Sequence, residues 1–105
     1  MQIQELFLED KRLGINLPKL EKQWDGYSVT EQSKILSIWE KERAKIPDRI
    51  KDLENIVKIK TNDMLVENDE EKMVKLNNEI MKFASIINDL NIWYRIEPTI
   101  SKKGS

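Results

Sequence analysis

The sequence predicts an all-α fold: a small helical bundle built on a long antiparallel αα-hairpin, about 47–67 and 69–96. A third helix, about 28–45, and short N-terminal helical segments complete it. Three observations carry this. Met73, Leu76, Ile80, Phe83, Ile87, Leu90 and Tyr94 recur at alternating spacings of 3 and 4, the heptad stripe of a helix packed lengthwise on another helix. Ile46, Ile50, Leu53, Val57, Lys60 and Met64 repeat that pattern. Folding the two stripes back to back about Asn68-Asp69 sets Met64 against Met73, Val57 against Ile80 and Ile50 against Ile87, the arithmetic of a helical hairpin.

In chain order, Ile3, Leu6, Phe7 and Leu13 are expected on a short amphipathic helix closed by Gly14, although Leu6-Phe7-Leu8 also fits a strand. Pro18 is expected at the first position of a one- or two-turn helix carrying Leu17, Leu20 and Trp24, broken by Asp25-Gly26. Ser28-Val29-Thr30-Glu31 matches a capping box, in which hydroxyl and carboxylate satisfy each other's backbone donors. Pro47 should end that helix near Lys45, push Ile46 out of the α region and open the next helix. Asn68 is read as the N-cap of the last helix, with Asp69, Glu70 and Glu71 in its first turn. Phe83, mid-stripe, is expected to be fully buried. Residues 1–98 are read as one helical domain and 99–105 as a frayed C-terminal tail.

Ile56, Ile86 and Trp93 flank the seam and widen it to a bundle-type face. The Ser28–Lys45 helix is the expected cover. Lys60 is the one misfit, its stem lying on the seam and its ammonium reaching water.

Charged residues make up 35% of the 105 positions, 18 basic against 19 acidic, a solvated surface rich in opposite-charge pairs. A net charge of −1 and a pI near 5.6 argue against backbone-driven nucleic-acid binding. With neither histidine nor cysteine, there is no imidazole base, no disulfide and none of the common zinc sites. No cofactor and no metal are expected. The acidic residues Asp63, Glu67, Asp69, Glu70 and Glu71 lack the ligand spacing of a calcium loop. The basic residues of 41–60 alternate with Glu42, Asp48, Asp52 and Glu54, as on a salt-bridged helix surface. No apolar run reaches the ~18 residues of a membrane span, and no leader pattern opens the chain, so the expected location is cytoplasmic.

Trp24-Asp25-Gly26 is similar to the signature of WXG proteins, small helical hairpins in which the motif lies at the turn between the two long helices. Here that turn falls near Asn68, and Trp24 is read as a core or lid aromatic.

These exclusions leave a non-enzymatic protein–protein interaction module: an adaptor, a regulator or a self-associating bundle. The alternative is a small inhibitor or immunity-type protein that neutralises a toxin or enzyme. The expected partner is another protein or a second copy in a homodimer, with neither nucleic acid nor membrane involved. Trp93, Tyr94 and Arg95 extend past the paired length of the hairpin and are the residue types that concentrate binding energy. They are the expected edge of a partner surface, with Trp39 beneath them.

Overall fold

The computed structural model describes residues 2–96; the expected end of order at Pro98 and the tail 99–105 lie outside them. Helix dominates. The elements are a 3-10 turn at Ile3–Leu6, strands β1 (Phe7–Asp10) and β2 (Ile15–Pro18), a 3-10 turn at Trp24–Gly26, and helices α1 (Val29–Arg43), α2 (Ile46–Leu65) and α3 (Glu70–Tyr94). The extents are 60 × 22 × 22 Å, with a radius of gyration of 18.2 Å, against about 13 Å for a compact chain of this length.

The capping box forms as expected. The Ser28 hydroxyl accepts from the Glu31 N–H at 3.1 Å, and the Ser28 N–H donates to Glu31 Oε1 at 2.8 Å. The hydrogen bond from the Ser28 N–H holds the Glu31 carboxyl below its ordinary range. Between α1 and α2 only Ala44 and Lys45 intervene, both with right-handed backbone. The two helices therefore run on as one bent rod. Ile46 is not pushed out of the helix: α2 starts there, and Pro47 occupies the first turn, where its missing N–H would have had no partner. At the hairpin turn the N-cap is Asp69, not Asn68; its Oδ1 accepts from the N–H groups of Glu71 and Lys72.

The N-terminal segment departs from the expected helices. Phe7–Asp10 and Ile15–Pro18 pair antiparallel, with Leu8 opposite Leu17 and Glu9 opposite Asn16. Gly14 closes the four-residue loop at φ 79°, a left-handed conformation that glycine adopts without strain. Its N–H donates to the Asp10 carbonyl at 2.8 Å, and Asp10 Oδ1 accepts from the Leu13 N–H. Pro18 ends a strand; it does not start a helix.

This hairpin takes the place expected for the Ser28–Lys45 helix. Leu13 and Ile15 enter the main core with Ile46, Leu53, Ile86 and Leu90, and Leu17, Ile56 and Trp93 pack around them. Polar contacts fasten it. Arg12 donates to Asp89 at 2.7 Å and to Ser85 at 2.9 Å, and Arg49 Nε donates to the Leu13 carbonyl at 3.1 Å. Helix α1 packs instead on β2 and the first 3-10 turn. Its N-terminal half closes a second cluster of Leu6, Trp24, Tyr27 and Ile35, so Trp24 is a core aromatic.

Candidate interaction site

Where α1 meets the C-terminal end of α3, the Trp39 and Trp93 rings meet edge to face, centroids 5.7 Å apart at 67°, a favoured aromatic geometry. Trp39 is only 3% exposed, and its Nε1 donates to the Ile96 carbonyl at 3.2 Å. Trp93 is half-buried and packs against the main core. Tyr94 and Arg95 are exposed. The structure thus brings Trp39, Trp93 and Tyr94 into one corner, with Arg95 at the helix C-cap beside them. Arg43 completes the corner and was not singled out by the sequence reading. Its guanidinium stacks 4.9 Å from the Tyr94 ring centre and donates to the Tyr94 carbonyl at 2.8 Å. Arg43 follows Trp39 by four residues, so the two share one helix face, and that spacing was the signal available.

Behind the corner, Glu42 is the buried charged residue of the described chain. Burial pushes its carboxyl up. Against that, the Asn16 N–H at 2.8 Å and the Lys45 ammonium at 2.9 Å hold it, on balance, below the ordinary range. Glu42 therefore ties β2 to α1 as an anion.

At the other end, α2 and α3 project beyond the body as a two-helix arm. None of residues 54–85 is buried. Phe83, expected in full burial, is only partly buried: it packs against the edge of the main core, where the third layer ends. Ile59, Leu65, Val66, Val74 and Met81 lie open on the arm. Lys60 behaves as expected of the misfit, partly covered, with its ammonium 3.4 Å from Glu79. The groove at the tip mixes signs, Asp63, Glu67 and Glu79 with Lys72 and Lys75.

Among the described residues, no group of three or more acidic side chains is placed to hold a metal ion, and no helix is long and apolar enough to cross a membrane. No family model, curated protein or solved structure matches the chain.

Proposed function

We propose that the chain is a non-enzymatic protein–protein interaction module, with the projecting α2–α3 arm as its docking element. The observation that carries this is the arm itself: none of residues 54–85 is buried, and between Ile56 and Phe83, which border the main core, the two helices cover only each other. An amphipathic helix draws most of its stability from tertiary packing. An arm with a half-covered heptad seam and exposed Leu65, Val66, Val74 and Met81 is completed by another protein surface. Trp93, Tyr94 and Arg95, over Trp39, form the body-side edge of the same reading. Trp39 supports that edge from beneath, without touching the partner.

The test is capture from extracts of the native host, followed by lysine crosslinking. Crosslinks from a protein partner or a second copy to Lys58, Lys72, Lys75 or Lys82 support the arm as the docking element. A chain that captures nothing and has monomeric mass at ~100 μM overturns the proposal, since that concentration reveals even weak association. The inhibitor or immunity reading needs a single-signed surface, and the mixed charges of the tip groove lend it no particular support.

A further inference from the structure

The inner stripe of α3 faces α2. The same helix carries a second stripe on its outer side: Val74, Asn78, Met81, Ser85, Asn88 and Ile92, at spacings of 4, 3, 4, 3 and 4. All six are exposed, Val74 by 60%, Met81 by 62% and Ile92 by 49%; the Ser85 hydroxyl also accepts from Arg12 at 2.9 Å, so a helix packed here meets that guanidinium beside Ser85. None is charged, in a chain where 35% of residues are. The stripe runs for about 27 Å at 1.5 Å per residue.

Its outer four positions are palindromic in chemistry, apolar then amide at one end and amide then apolar at the other, with Met81 and Ser85 between them. We propose that this stripe is the seam of a homodimer in which α3 pairs antiparallel with α3 of a second copy about a two-fold axis near Phe83. The inference rests on the interaction-module reading and names the partner. In this register Val74 faces the second copy's Ile92, Asn78 its Asn88, and Met81 its Ser85, the alternating layers of an antiparallel coiled coil. A two-fold interface must be complementary to itself, and this residue order meets that condition; a seam for an unrelated partner would not need it. Two buried amide pairs fix register and direction, the role of polar residues within coiled-coil seams.

The flanks agree on one side and strain on the other. Asn77, Ala84 and Asn91 form an uncharged flank. On the opposite flank Lys75 comes beside the second copy's Asp89, which already holds Arg12 at 2.7 Å. Lys82 meets its own counterpart at the axis, where the two ammonium groups splay to water on long stems. That contact is the repulsive element of the seam, so removing it should tighten association.

The experiment uses the full chain in sedimentation equilibrium from ~1 to ~300 μM, a range that brackets weak and moderate dimers. The expected result is a monomer–dimer equilibrium that Met81→Lys weakens at least tenfold and Lys82→Gln strengthens. Helix content by circular dichroism should stay unchanged in both, because both positions are exposed. The chain has no cysteine of its own, so Asn78→Cys with Asn88→Cys reports register directly. The two positions are about 15 Å apart along one helix, too far for an internal disulfide. Air oxidation should therefore give a covalent dimer joined 78 to 88. A monomer throughout overturns the seam, even where partner capture from extracts succeeds and the module reading stands. A dimer indifferent to Met81→Lys, or one that Asn78→Cys alone links 78 to 78, overturns the face or its antiparallel direction.

Discussion

The body and the arm use the same heptad stripes to different ends. In the body, Ile46, Leu53 and Leu90 of those stripes, and Ile86 beside them, are buried because a β-hairpin lays Leu13 and Ile15 across the two helices. In the arm, Val57, Met64, Leu76 and Ile80 continue those stripes, yet remain partly open, because nothing lies across them. The pattern within two helices specifies that they pair. Whether their seam becomes a core depends on a third layer, here supplied from the far end of the chain. The distinction has energetic content, since truncation costs follow burial and the ability of a site to collapse.

The largest expected effect tests the body. Leu90→Ala, at 0% exposure, should lower stability by ~2–5 kcal/mol in urea melts. A loss under ~1 kcal/mol would mean that the β-hairpin does not seal this core. Phe83→Ala lies at the border between the two regions and should cost less, ~1–3 kcal/mol, because the partly buried ring at the core's edge loses only part of a fully buried aromatic's contacts. A loss as large as that of Leu90→Ala would break the contrast and place the arm's seam in the core.

Gly14→Ala attacks the third layer from its loop. The left-handed φ of 79° and the Arg49 guanidinium, whose Nε is 2.8 Å from an added Cβ, should together cost ~1–2 kcal/mol. An unchanged urea midpoint would show that the loop can relax without loosening the body.

Glu42 gives the body a pH response. Its folded pKa lies below its unfolded one, so its contribution is present above the ordinary carboxylate range. It is lost as pH falls through the folded value. Glu42→Gln should flatten the acid limb of the urea midpoint measured from pH 7 to pH 3. An identical acid limb in both proteins would show that the Asn16 and Lys45 contacts do not favour the anion.

The smallest effect belongs to the arm. Val74→Ala should move stability by less than ~0.5 kcal/mol, as surface substitutions do. Amides of residues 58–80 should exchange faster than those around Leu53 and Leu90, as in regions with few buried contacts. Equal protection in dilute monomer would erase the difference between the regions.

Much of this was legible in the residues. The two stripes, their common turn, the capping box and the Pro47 bend announced three helices and the hairpin, because helix periodicity and capping are local. The β-hairpin was harder to read. Leu6-Phe7-Leu8 fits either structure, and strands of four residues carry little periodicity. The signals were Ile15 and Leu17 alternating around Asn16, and Asp10 with Gly14 bracketing a four-residue loop. The cover of the seam was misassigned for the same reason. A helix beginning at Ser28 was the nearest apolar element in sequence, whereas tertiary packing chose Leu13 and Ile15. At the candidate site, Trp39 under Trp93 followed from position along the chain. The spacing of Arg43 from Trp39 put both on one helix face, but that Arg43 meets Tyr94 depended on how α1 approaches α3, which local spacing does not encode.

The contact between Arg12 and Asp89 joins positions 77 residues apart, and the core beside it is sealed by Leu13 and Ile15 against Ile86 and Leu90. During synthesis the main core therefore cannot close until Leu90 has left the ribosome, whereas the cluster of Leu6, Trp24, Tyr27 and Ile35 draws only on the first third of the chain. The α2–α3 turn needs only neighbouring residues and can form while the chain is still growing. Loop-closure entropy delays distant contacts in the same direction. The main core, the best-buried part of the molecule, is thus the last to be completed, and the local α2–α3 turn can precede it.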